Sequence, residues 1–166
     1  MLAIKKCPVP ANTMLRTYAM PGGYVDCYTT EVPGQVPFPE FIFAFYTTLL
    51  FKLERSILKL TVSKPSTDIQ ARQLADGHVQ KFAAWHVENR SENEILLCDL
   101  IGRTRSWLMV EGGESTRLYF GSAVVPIVDG RTGVRSMGAA FRLLLGFHKL
   151  YSRALLSSAR SRLANS

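Results

Sequence analysis

Local catalytic signatures are missing from this chain. Its 166 residues contain no G-x-S-x-G, no Walker A loop, no G-x-G-x-x-G after a strand, no H-E-x-x-H and no C-x-x-C. The common mechanisms built on those motifs therefore have no anchor in the sequence. Cysteine is scarce: Cys7, Cys27 and Cys98 are odd in number, far apart in sequence and without a histidine at metal-ligand spacing. That pattern argues against a disulfide framework and implies neither metal nor cofactor. No apolar run is long. The longest, from Phe41 to Phe51, is broken by Thr47 and Thr48, well short of the ~20 residues that span a bilayer. Lys5 and Lys6 are followed by Pro8, Pro10, Asn12 and Thr13 rather than by the apolar core of a signal peptide. Together these absences lead to the expectation of a soluble protein in a reducing cytoplasm.

Enough apolar material is present to build a core. Hydrophobic residues make up 47% and charged residues 20%, which excludes the low-hydropathy, high-charge regime of disordered chains. A chain of this length suits one domain, 1–166, able to bury roughly 70% of its unfolded surface. The net charge of +7 is unevenly placed. Arg131, Arg135, Arg142, Lys149, Arg153, Arg160 and Arg162 lie in a C-terminal stretch without a single acid, while acids and bases cancel over residues 1–130.

Residues 1–22 hold three prolines and little periodicity, predicting an irregular arm closed by Pro21-Gly22-Gly23. Tyr24 to Val32, rich in Tyr, Val and Thr, reads as a strand ended by Pro33-Gly34. Pro37 and Pro39 open a helical pattern through Phe41, Ala44, Phe45, Thr48, Leu49 and Lys52 that resumes through Leu53, Ile57 and Leu60. This predicts one kinked helix or two short ones over 38–62. Pro65-Ser66-Thr67-Asp68 starts another helix, with Gly77 as its C-terminal cap. Phe82 to Asn89, Glu94 to Ile101, Thr104 to Glu111 and Arg117 to Val125 are β-rich runs joined by connections too short for a parallel crossover, hence an antiparallel meander. Ser136 to Leu163 reads as a long amphipathic helix: Met137, Ala140, Phe141, Leu144, Phe147, Tyr151 and Leu155 fall on one side and Arg142, Lys149, Arg153 and Arg160 on another.

The fold class expected is therefore α+β, an antiparallel sheet packed on a long C-terminal helix with two or three short helices after the first strand. That order is similar to the helix-grip fold of START, Bet v 1 and polyketide-cyclase-like proteins, in which a curved sheet wraps the last helix. The stretches ADGHVQKFAAWHVENR, LLCDLIGRTRSWLMVE, TRLYFGSAVVP and FHKLYSRALL also resemble a family of bacterial proteins of uncharacterised activity near that superfamily. This likeness covers roughly residues 24–160. The helix-grip resemblance implies a cavity between sheet and helix that holds a small apolar or amphipathic ligand. One element departs from it: the helix starting near Ser66 occupies the place of a β-hairpin.

His148 lies along the apolar stripe of the final helix, where it can bond a backbone carbonyl at the edge of the core, face a ligand, or move protons, since histidine titrates near neutrality. Strand alternation puts Arg103, Arg105, Trp107 and Met109 on one face and Thr104, Ser106, Leu108 and Val110 on the other. With the Trp107 face turned to a cavity, Arg105 becomes an anchor for an anionic group; the alternative is an Arg105 to Asp99 ion pair across the hairpin. Trp85, Trp107, Tyr119 and Phe141 form either an aromatic pocket wall or ordinary core. Cys98 reads as a buried thiol, with no base beside it.

Three function classes follow. A binding module would use Trp85, Arg105, Trp107, Tyr119, Phe141 and His148 around a small hydrophobic ligand. A cyclase- or hydratase-like enzyme would move a proton with His148 or Asp99 in the same cavity. An interaction protein would have a filled core and use its basic helix. The charged side of that helix is either a solvated face or an electrostatic contact for an anionic membrane surface. The absence of a base-stacking motif or recognition helix weighs against nucleic acid. A cavity of about 300 Å³ or more favours the first two classes.

Overall fold

The computed structural model describes residues 4–49, 51 and 67–165. A short strand β1 (Lys5–Lys6) and a 3₁₀ turn (Met14–Tyr18) precede β2 (Tyr24–Pro33), α1 (Phe38–Tyr46) and α2 (Asp68–Ala75). Strands β3 (Lys81–Phe82), β4 (Trp85–Arg90), β5 (Glu94–Asp99), β6 (Thr104–Glu111) and β7 (Ser115–Val124) follow, then a small hairpin of β8 (Ile127–Val128) and β9 (Arg135–Ser136), and finally α3 (Ala139–Ala164). The main sheet has seven strands in the order β1-β2-β7-β6-β5-β4-β3, every neighbouring pair antiparallel. The α+β class, the four-stranded meander and the C-terminal helix thus stand as the sequence predicts. The second half of the helix expected over 38–62 lies outside the described residues.

Local chemistry accounts for the helix boundaries. Pro37 caps α1 and Pro39 sits in its first turn, where a missing N–H costs nothing. Thr67 and Gln70 form a reciprocal capping box at the start of α2. The exposed carbonyls at the other end of α2 are taken by Arg90, whose guanidinium donates to Leu74 O at 2.5 Å and to Ala75 O. Phe41, Ile42 and Phe45 of α1, Leu74 of α2, and Leu155 and Leu156 of α3 pack on Ile95, Leu97, Leu108, Leu118 and Phe120 of the sheet. Each fully buried large side chain contributes about 2 kcal/mol of hydrophobic stabilisation.

The opposite face of the sheet is covered too. The N-terminal arm, predicted to be irregular, is docked: β1 extends the sheet, and Leu15 of the 3₁₀ turn is fully buried against Cys27, Leu96, Trp107, Met109, Tyr119 and Ala123. Glu94 pins the arm, accepting from Met14 N at 3.0 Å and from Trp107 Nε1 at 2.7 Å. The middle strands are therefore buried on both sides.

The basic helix is not simply a solvated face. Arg153 donates to Ile4 O at 3.4 Å, Arg160 to Glu31 O at 3.1 Å and Arg162 to Thr47 O at 2.9 Å. These bonds tie α3 to the arm, to β2 and to the end of α1.

Gly121 of β7 makes the close seat of the arm feasible. A Cβ there would run into the Leu15 side chain and lie 2.9 Å from Asp26 O and 3.1 Å from Trp107. Backbone on one side and a packed indole on the other leave little room to yield. Gly121→Val is expected to destabilise the fold by about 2 kcal/mol, in the range of core overpacking, and to raise the proteolytic sensitivity of the arm. Urea denaturation and limited trypsin digestion check this; unchanged stability would contradict the packing described.

Candidate functional site

Between the sheet and α3 lies a cavity of about 190 Å³. Its apolar wall comes from Phe45, Phe51, Trp85, Phe120, Phe141 and Leu155. Its polar contributions include Thr104, Arg105 and Ser106 on β6, Ser122 on β7, and His148 and Ser152 on α3. Ser152 is buried, and its Oγ has no hydrogen-bond partner among the described residues; the same holds for Trp85 Nε1. Two buried polar atoms, one on the sheet and one on α3, thus lack a partner among the described residues, which ordinarily costs a fold free energy.

Behind Ser122 sits a residue that sequence reasoning passed over. Asp26 of β2 is directly opposite Ser122 in the β2/β7 register, and its side chain is fully buried. Its carboxylate accepts from Ser122 Oγ at 2.5 Å, from Ser122 N at 3.2 Å and from Tyr24 OH at 2.8 Å. His148 Nε2 lies 2.7 Å from Ser122 Oγ and 3.6 Å from Asp26 Oδ2. Ser122 has one hydroxyl proton. An ionised carboxylate can only accept, so that proton points to Asp26 and Ser122 Oγ accepts from His148 Nε2. Burial pushes the Asp26 carboxyl up, but the contacts with His148, Ser122 and Tyr24 outweigh it and hold the group below the usual carboxylate value. Tyr24 is pushed up by its own burial and by the Asp26 charge, so it remains a donor.

This arrangement is not a nucleophilic triad. In a triad the serine donates to one imidazole nitrogen and the carboxylate accepts a hydrogen bond from the N–H of the other. Here one nitrogen, Nε2, faces both Ser122 and Asp26, and serine donates to the carboxylate. The chemistry available is hydrogen bonding and proton exchange through His148, with Asp26 as its anionic partner. Tyr24 and Phe141 flank the imidazole, with ring centroids 5.9 and 5.7 Å from it.

Of the residues singled out in the sequence, Trp85, Phe141 and His148 come together on this cavity. Trp107 and Tyr119 do not. They pack against each other and the arm on the opposite face, where Trp107 bonds Glu94 and Tyr119 OH donates to Glu111 Oε2 at 2.9 Å. The physical reason is strand alternation: the cavity belongs to the Ser106, Phe120 and Ser122 side of the sheet. Arg105 borders the cavity, but its guanidinium is turned to the arm, 2.7 Å from Glu88 and 4.6 Å above the Tyr18 ring. Of the two readings of Arg105, the ion pair is the nearer, but its partner is Glu88 and not Asp99. Asp99 instead accepts from Arg103 N at 2.7 Å and Thr104 Oγ1 at 2.8 Å and fixes the hairpin turn. Cys98 is buried, its thiol pushed up by desolvation. Among the described residues no cluster of three or more His, Cys, Asp or Glu is placed to hold a metal ion, and no helix is long and apolar enough to cross a membrane.

Because folding lowers the proton affinity of Asp26, its stabilising contribution is fully present above the ordinary value of 3.8 and is lost as pH falls through the lower native value. Asp26→Asn is expected to lose about 2 kcal/mol at neutral pH, the scale of hydrogen bonds to a buried charge. The gap to the parent protein should narrow at pH 3. Urea melts at pH 7 and pH 3 measure it, and a gap independent of pH would contradict the network.

Comparison of the chain with models of known protein families, with curated proteins and with solved structures gives no match.

Proposed function

We propose that this protein binds a small amphipathic molecule, about the size of a single ring, in the cavity between the sheet and α3. The observation that carries this reading is an apolar wall of Phe45, Phe120 and Phe141 set against the hydrogen-bonded Ser122 and His148 on the same cavity. An occupant with one polar group would turn it to the His148 side while its ring rests on Phe45, Phe120 and Phe141. Size sets the class. A cavity of 190 Å³ falls short of the ~300 Å³ that would mark a drug-sized site, yet exceeds the ~150 Å³ of a cavity that takes benzene. That volume suits a single ring such as phenol better than a sterol or a long acyl chain. The arrangement of an antiparallel sheet against a long final helix supports a helix-grip-like reading of the fold, in which a cavity at this place is the usual binding site. That support is by analogy, and the ligand class rests on the residues.

A second reading is favoured by one specific observation, the Asp26, Ser122 and His148 network at the cavity wall. A histidine bonded to a buried carboxylate system is placed to take or give a proton on a bound molecule. In that reading the protein is a proton-transfer enzyme of the cyclase or hydratase kind, with Asp26 in the place that sequence reasoning gave to Asp99.

The first reading predicts saturable binding of phenol and weaker binding of benzene by isothermal titration calorimetry. It also predicts a reproducible extra mass in native mass spectra of protein purified from its own cells. Ser152→Leu, which fills the cavity, should abolish phenol binding while leaving thermal stability intact. No saturation with either probe would refute the reading. His148→Ala separates the two readings: a carrier keeps its ligand within a few fold, whereas an enzyme loses turnover of the molecule recovered in the native spectra.

A further inference from the structure

Cys7 and Cys27 are twenty positions apart in the sequence, and β1 brings them together. The β1/β2 register, Lys5 opposite Thr29 and Lys6 opposite Tyr28, continues to set Cys7 opposite Cys27, and Cys7 N donates to Cys27 O at 3.0 Å. The two sulfurs are 3.3 Å apart, and both thiols are free. A hydrogen-bonded cross-strand pair has its Cα atoms about 5.5 Å apart, inside the ~4.4–6.8 Å window of disulfides. Closing the sulfurs to a bond of about 2.0 Å is then a matter of side-chain torsion.

We propose that Cys7 and Cys27 are a two-electron redox pair, oxidised by a hydroperoxide to an intramolecular cross-strand disulfide that locks the N-terminal arm to the sheet. The two cysteines are unequal, as attack and resolution require. Cys7 is partly exposed and Cys27 buried. The bond between the thiols and the charge of Arg117 lower Cys7 against its partial burial, while the same bond and burial raise Cys27. The Cys7 thiolate attacks the peroxide oxygen, the O–O bond breaks, and the alcohol leaves with a proton, giving a sulfenic acid. The Cys27 sulfur then attacks the Cys7 sulfur, the S–S bond forms and water leaves. In sum, two thiols and one hydroperoxide give one disulfide, one alcohol and one water. Cys98, buried and bonded to the Asp99 carbonyl, takes no part. The cross-link closes a loop that contains the whole 3₁₀ turn, so it holds Leu15 over Trp107.

The test treats the full chain with tert-butyl hydroperoxide, alkylates it after denaturation and maps it by mass. The expected result is an intact mass lower by two hydrogen atoms, no dimer on a non-reducing gel, and alkylation at Cys98 alone. The tryptic peptide that begins at Cys7 should be joined to the one carrying Cys27, and dithiothreitol should reverse the change. Closing a loop of this length should also raise the melting temperature by on the order of 5–10 °C, a rise absent in oxidised Cys7→Ser. In Cys27→Ser, Cys7 should over-oxidise to the sulfinic acid instead. Cys7 and Cys27 both remaining alkylatable, sulfinic acid accumulating at Cys7 of the parent chain, or a link between chains would each overturn the proposal.

Discussion

The pairing of β2 with β7 is the constraint on which the other features rest. It runs for ten residues, from Tyr24 opposite Val124 to Pro33 opposite Ser115, and joins the N-terminal part of the chain to the end of the meander. Side chains alternate along a strand, so a slip of one position would exchange the two faces of β2. In the observed register Asp26 meets Ser122 beneath the cavity, and Cys27 meets Gly121 on the other face under the arm. The polar network and the seat of Leu15 follow from that single alignment, and it turns Cys27 to the face where β1 brings Cys7.

A sheet buried on both faces has a further consequence. The inner face packs on three helices and the outer face on an arm that contributes one fully buried leucine and a set of polar ties to Glu94, Glu88 and Arg105. The inner side is broad and aromatic, and contains the cavity. The outer side is smaller and closed, with Glu94 accepting from both the arm and the Trp107 indole. Most basic residues of the terminal helix that reach a neighbour do so through backbone carbonyls, so part of the local excess of positive charge is used to fasten elements together.

Much of the fold was legible because its signals are local. Pro37 and Pro39, the Thr67 to Gln70 box, and short turns such as Gly102-Arg103 mark boundaries whatever surrounds them. The site was legible only in part. Trp85, Phe141 and His148 were found from aromatic content and helical spacing. Trp107 and Tyr119 went to the opposite face because an apolar residue on a doubly buried strand carries no mark of which side it faces, and the arm that buries them reads as irregular. Asp26 was missed because a lone acid in a β-rich run reads as an exposed position; its alternation with Tyr24 and Tyr28 was the available clue. The meeting of Cys7 with Cys27 depends on a two-residue strand too short to recognise by pattern.

The central claim is that the Trp85 side of the sheet, and not the Trp107 side, receives a ligand. The chain has two tryptophans, so a proton–nitrogen correlation spectrum of the ¹⁵N-labelled protein has two indole signals that read the two faces separately. On titration with phenol, the account predicts a saturable shift of the Trp85 indole signal and a stationary Trp107 signal, held by Glu94. A shift of Trp107 with Trp85 unmoved, or no saturable shift of either, would contradict it.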